Sequence, residues 1–152
     1  MKYILITLLS TTLLYACNSG DASATKDGED SVKRAQAIEA ASDSANYTTI
    51  EWIDSTAQNL GKLKEGQVAE VTWRFKNTGD KPLIILSANP SCGCTLAEKP
   101  EQPITPGGEG VIKAKFDTKS QGVGTKEKTV MVQTNTKNMV SHQLSFRAEV
   151  IK

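Results

Sequence analysis

Reactive side chains concentrate in one stretch of this chain, Pro90-Ser91-Cys92-Gly93-Cys94-Thr95. Two cysteines separated by one glycine can close a small disulfide ring, persist as a dithiol, or ligate a soft metal. An extended strand holds residues i and i+2 about 6.6 to 6.8 Å apart, at the upper limit of disulfide Cα separations, with parallel Cβ vectors. A bridge from Cys92 to Cys94 therefore needs a turn. Gly93 is expected to supply it, because glycine reaches positive φ without steric cost. So short a bridge removes little entropy from the unfolded chain, about 1.5 kcal/mol by the loop-closure formula. Four readings of the pair stay open: a structural disulfide, a binding loop whose shape the cysteines set, a thiol–disulfide exchange site, and metal capture. Copper(I) could accept the two thiolates. Zinc asks for four ligands, and His142 is the one histidine of the chain.

The remaining sequence assigns no catalytic residue, no metal and no cofactor. Ser141-His142 lacks the glycine-flanked turn that exposes a nucleophile, and with one histidine any triad would have to use it. His142 reads instead as a partly buried, hydrogen-bonded structural residue near the inner face of the last strand. Pro106-Gly107-Gly108-Glu109-Gly110 leads into a strand pattern and not a helix start, so it is a turn, not a phosphate cradle. Eighteen Lys and Arg against seventeen Asp and Glu leave a net charge of +1, which argues against a nucleic-acid partner. The chain is read as a non-enzyme.

The residues that must position the cysteines begin with a delivery segment. Met1-Lys2 is a short positive start, and Tyr3 to Tyr15 is an apolar run too short to span a bilayer as a helix. It ends in Leu14-Tyr15-Ala16-Cys17, which resembles a bacterial lipobox. That resemblance implies cleavage after residue 16 and lipidation of Cys17, with a diacylglyceryl group and an amide-linked chain such as palmitate. Each buried CH₂ contributes about 0.8 kcal/mol, so two or more chains anchor stably. Cys92 and Cys94 are then the remaining thiols, in an exported compartment where disulfides persist. The expected place is the cell envelope, on the outer membrane, at its periplasmic face or the cell surface.

Residues 17–46 form a polar tether without Trp or Phe, in which Asp21, Asp27, Glu29, Asp30, Glu39 and Asp43 outweigh Lys26, Lys33 and Arg34. Such a segment cannot bury a core and is expected to be mostly disordered, holding the domain on the order of 30 Å from the membrane. Ser31 to Ala45 has helix formers, but Val32, Ala35, Ile38 and Ala41 make a thin apolar stripe, so a marginal helix is expected.

From residue 47 to 152 the hydrophobic period becomes two. Thr48 to Ile53 reads as a first strand, Gln58 to Gly61 as an approach to a turn at Lys64-Glu65-Gly66, and Gln67 to Asn77 as a half-buried strand. In that strand Val71, Trp73 and Phe75 face the core, opposite Glu70, Thr72, Arg74 and Lys76. Leu83 to Ala88 is a strand that delivers the cysteines at its end. Ile112, Ala114 and Phe116, then Val130 and Val132, then Val140, Leu144, Phe146, Ala148 and Val150 supply further inward faces. Six to eight short strands without a long helix predict an all-β, immunoglobulin-like antiparallel sandwich.

The run Phe75 to Ile85 with its Asn77-Thr78-Gly79-Asp80 turn, then Cys92-Gly93-Cys94-Thr95, then Ile104 to Gly108 and Ile112 to Phe116, resembles a known family over about Thr48 to Ile151. These are bacterial exported domains of unknown function, related to hydin-like and major-sperm-protein-like immunoglobulin sandwiches. The resemblance implies the fold and no activity. The functional expectation is a membrane-anchored interaction module with an envelope protein as partner; the alternative is a thiol-active or copper-binding protein using Cys92 and Cys94.

Overall fold

A computed structural model describes residues 32, 35, 36, 38–137 and 140–152. The expected leader, Cys17 and most of the expected tether lie outside the described residues. Residues 38–41 are helical, a short 3-10 helix follows at Ser44–Asn46, and eight strands come after it: β1 (Ile50–Trp52), β2 (Ala57–Lys64), β3 (Val68–Asn77), β4 (Ile85–Pro90), β5 (Thr95–Glu98), β6 (Glu109–Asp117), β7 (Gly124–Thr134) and β8 (Ser141–Ile151).

The strands form two four-stranded sheets, in the orders β1-β3-β6-β5 and β2-β8-β7-β4. Trp73, Phe75, Ile112, Ala114 and Phe116 from one sheet and Val130, Val132, Leu144, Phe146, Ala148 and Val150 from the other fill the space between them. Period-two alternation is what makes this possible, since each strand sends every second side chain inward. The facing sizes are matched: Phe75 pairs with Gly110, and a Cβ on Gly110 would collide with the Phe75 ring. Trp73 is fully buried, with its indole Nε1–H left without a hydrogen-bond partner.

Several expectations change. The sandwich is not wholly antiparallel, because β2 runs parallel to β8, with a register shift between Asn59 and Lys62. Residues 58–61 are therefore strand, not an approach to a turn; their weak alternation (Gln58, Leu60 and Leu63 turned partly or fully inward) reflects that irregular pairing. The strand read at 83–88 is shifted to Ile85–Pro90, because Leu83 is drawn into a separate bridge with Ile104. Val140 is not on the inner face: it precedes β8 and is 52% exposed, while its carbonyl accepts the Thr134 N–H.

Two buried asparagines close the end of the sandwich where the chain enters the domain. Asn77 Oδ1 accepts from Thr48 Oγ1 at 2.9 Å and Gly79 N at 3.1 Å, and its Nδ2 donates to the carbonyls of Lys81 and Ile104 at 2.8 and 2.9 Å. An amide has two donor hydrogens and two acceptor lone pairs, so its capacity is filled. Gly79 is required here by close approach, since a Cβ would strike Thr48 Oγ1 and come within 2.7 Å of Thr49 N. Asn135 accepts from Ile84 N and donates to the carbonyls of Pro82 and Asn46, so the 3-10 helix is tied to the same end.

The candidate site at the Cys-Gly-Cys crossover

β4 is an edge strand of one sheet and β5 is an edge strand of the other, and the four residues between them carry the chain across. Cys92 and Cys94 sit in that crossover, joined as a disulfide with Cα atoms 5.3 Å apart. The separation is shorter than an extended strand allows, so the expected turn is present. Its cause differs from expectation. Gly93 is not in the left-handed region, unlike Gly61, Gly66, Gly107, Gly122 and Gly124, and a Cβ there would meet nothing within 4 Å. The turn is closed instead across Cys92 to Thr95, where the Thr95 N–H donates to the Cys92 carbonyl.

Backbone bonds hold the crossover on both flanks. Ser91 N–H donates to Thr129 O at 2.9 Å and Thr129 N–H donates back to Ser91 Oγ at 3.2 Å, fixing the β7 side. Thr95 N–H donates to Cys92 O at 3.3 Å, and Asp117 N–H donates to Cys94 O at 3.1 Å, fixing the β6 side. Thr95 is buried, and its hydroxyl lies 3.7 Å from Cys92 Sγ and 3.9 Å from Cys94 Sγ. Both cysteines are half-buried and Gly93 is exposed. Composition and spacing assign Thr95 no role of its own; its position directly after Cys94 is the signal that points to it.

Two surface features adjoin the disulfide. A shallow groove of about 330 Å³ is lined by Val68, Gly93, Cys94, Leu96, Lys115, Asp117 and Lys119. Val68 and Leu96 are 60% and 68% exposed, a large apolar surface for outward strand positions. Lys115 donates to Glu98 Oε1 at 3.0 Å; this hydrogen bond holds the Glu98 carboxyl below the usual carboxylate range and the Lys115 ammonium above the usual lysine range. Along the open side between the two edge strands runs a second groove, of about 500 Å³, lined by residues 86–89 of β4 with Ala97, Glu98, Lys99 and Glu101.

His142 does not join the cysteines. It pairs with Val132 in β7, and its ring nitrogens meet Trp52 Nε1–H at 3.5 Å and Thr136 Oγ1 at 3.2 Å, with Trp52 on the far edge strand β1. Its half-buried, hydrogen-bonded setting agrees with the structural role expected for it. Among the described residues no group of three or more His, Cys, Asp or Glu converges. No helix among them is long and apolar enough to cross a membrane.

Residues 50–150 match the model of a family described as a protein of unknown function, DUF1573. Among solved structures, the chain is similar to a protein of unknown function from Porphyromonas gingivalis W83, at 21% identity and TM-score 0.62, over 70% of this chain and 49% of that one. It thus spans about half the length of that relative. It is also similar to the ASH / PapD-like domain 7 of human CEP192, at 12% identity and TM-score 0.52, over 70% of this chain and 88% of that one. Identities this low establish the fold, a PapD-like immunoglobulin-like sandwich, and nothing of activity. No curated protein matches the sequence.

Proposed function

The chain belongs to the DUF1573 family, and from that premise we propose that it is a membrane-anchored envelope lipoprotein whose immunoglobulin-like domain is an interaction module. The observation that carries this reading is the open side of the sandwich. β4 and β5 are both edge strands on the same side, and the groove of about 500 Å³ between them is lined by residues of both. An unpaired edge offers a row of backbone N–H and C=O groups, which an extended segment of a partner can complete by adding a strand.

The orientation favours this use. The N-terminal segment joins the domain at Thr48, whose N–H donates to Asn135 O, beside the start of β4. The cysteine crossover lies at the other end of β4, six residues or about 20 Å farther on. With Cys17 lipidated, a flexible tether joined at that first end would leave the crossover and the β4/β5 groove free to meet a partner. The partner on this reading is another envelope protein, reached without nucleic acid and without a cofactor.

Site-specific photo-cross-linking in intact cells tests the reading. A benzophenone amino acid at Ser87 or Asn89 in the β4 edge is expected to give one defined adduct, and the same probe at Glu51 on the far edge strand is expected to give none. The adduct is expected to survive in the Cys92→Ser, Cys94→Ser double variant. Equal adducts from both edges, or none from β4, would sink the proposal. A second, thiol-active reading is favoured by the half-buried disulfide with the Thr95 hydroxyl beside both sulfurs; copper(I) would use the same two sulfurs as thiolates.

A further inference from the structure

We propose that the Cys92–Cys94 disulfide is an exchange site for thiols of polypeptides with apolar flanks, with Cys94 as the sulfur attacked and Thr95 as the residue that receives the Cys92 thiolate. The inference rests on the thiol-active reading and is independent of docking at the β4/β5 edge.

Three observations carry it. The first is that the bridge is redundant as a clamp. The backbone of the crossover is fixed on β7 through Ser91 and Thr129, and on β6 and β5 through the carbonyls of Cys94 and Cys92, by bonds that involve no sulfur. Opening the S–S bond leaves those bonds in place, so the two sulfurs stay close enough to close again. The second is direction of approach. The groove beside the crossover is lined by Cys94 and Gly93, whereas Cys92 is not among its lining residues. The third is the buried Thr95 hydroxyl, which lies 3.7 Å from Cys92 Sγ and can turn its hydrogen toward whichever sulfur carries charge.

The step balances as an ordinary exchange. An incoming thiolate forms a bond to Cys94 Sγ as the Cys94–Cys92 bond breaks, and the electron pair leaves on Cys92 as a thiolate that accepts the Thr95 O–H. A second thiol of the same substrate, as its thiolate, then attacks the substrate sulfur. This forms a substrate disulfide and releases Cys94 as a thiolate. The substrate dithiol is oxidised and the domain is left as its dithiol; the reverse sequence reduces a substrate disulfide. Val68 and Leu96, exposed on either side of Lys115 and Asp117, make the groove suited to an apolar segment of polypeptide. Charged groups facing the groove are Lys115, already bonded to Glu98, with Asp117 and Lys119.

The test uses the exported full-length protein. The oxidised protein is mixed with excess glutathione, quenched with iodoacetamide and mapped by mass spectrometry. The expected product carries glutathione on Cys94 and the alkyl group on Cys92; glutathione on Cys92, or an even division, overturns the assignment of the attacked sulfur. Thr95→Val is expected to slow opening about tenfold, the effect of losing one hydrogen bond to a charged group. In the Cys94→Ser background it is expected to slow alkylation of Cys92 by iodoacetamide at neutral pH, because less of the thiol is held as thiolate. Thr95→Ser is expected to restore both. An unchanged rate in Thr95→Val, or a Thr95→Ser variant as slow as Thr95→Val, removes Thr95 from the mechanism. Finally, Leu96→Ser, which removes apolar surface without adding charge, is expected to slow oxidation of an apolar dithiol peptide more than oxidation of glutathione, and equal effects on both refute the substrate class. None of these readouts depends on the β4 cross-link, so either proposal can fail alone.

Discussion

Replacing Asn77 by alanine isolates what the Asn-Thr-Gly-Asp turn contributes. The side chain makes four hydrogen bonds in a fully buried position. In Asn77→Ala, Ile104 O keeps the Leu83 N–H at 2.9 Å, and the Thr48 hydroxyl can rotate, so neither is fully orphaned. Gly79 N–H and Lys81 C=O each lose the partner that Asn77 supplied. A buried polar group left unsatisfied costs about 1–3 kcal/mol; Gly79 is half-buried and Lys81 exposed, so water replaces part of what is lost and the two together give a loss of about 2 kcal/mol. Against a total of about 5–15 kcal/mol for a domain of this size, the loss is a large part of stability. Urea titration followed by tryptophan fluorescence should show a reduced midpoint at unchanged slope, the mark of altered stability and not of altered compactness. Asn77→Asp, of nearly the same shape, should be no better than alanine, because it turns a carboxylate oxygen toward the Lys81 and Ile104 carbonyls. A loss below about 1 kcal/mol in Asn77→Ala, or near-wild-type stability in Asn77→Asp, would refute this account of the turn.

Other substitutions test the packing and the surface. Gly110→Ala should destabilise by about 1–3 kcal/mol, since its methyl group enters the Phe75 ring, whereas Gly93→Ala should be nearly neutral in the same titration because the space there is open. Ser120 holds φ at 62°, a left-handed conformation unfavourable for a residue with a Cβ, so Ser120→Gly should raise stability by about 0.5–1 kcal/mol in thermal unfolding. Asp54 accepts from the Arg74 side chain and backbone, and these hydrogen bonds hold its carboxyl below the usual carboxylate range. A depressed folded-state pKa means the interaction stabilises above the unfolded-state value and is lost as pH falls through the folded one. Acid unfolding of Asp54→Asn should therefore be less steep than wild type across that window, and equal steepness would show that the pair does not contribute.

Much of the sheet face was legible in the chain because period-two patterning is a local property. Val71, Trp73 and Phe75, or Leu144, Phe146 and Ala148, alternate with polar neighbours strongly enough to fix which side is buried. Where the alternation is weak the reading failed. β2 has exposed and half-buried residues on an irregular ladder, and whether it lies parallel or antiparallel to β8 depends on a partner about ninety residues away. Val140 has the right parity for the core but precedes the point where β8 begins to pair. Gly93 invites the conformation that glycine alone permits, yet the turn is closed by the Thr95 N–H to Cys92 carbonyl bond without it.

By itself the sequence determined an all-β domain from about residue 47 onward, and singled out Cys92 and Cys94 as its concentrated chemistry. Composition and alternation carry that information residue by residue. The tertiary structure alone decided that β4 and β5 are both edges, that the cysteines lie on the crossover between them, and that Thr95 stands beside both sulfurs. Strand order follows from which faces can be buried together across the whole chain, and a short motif holds no record of that competition.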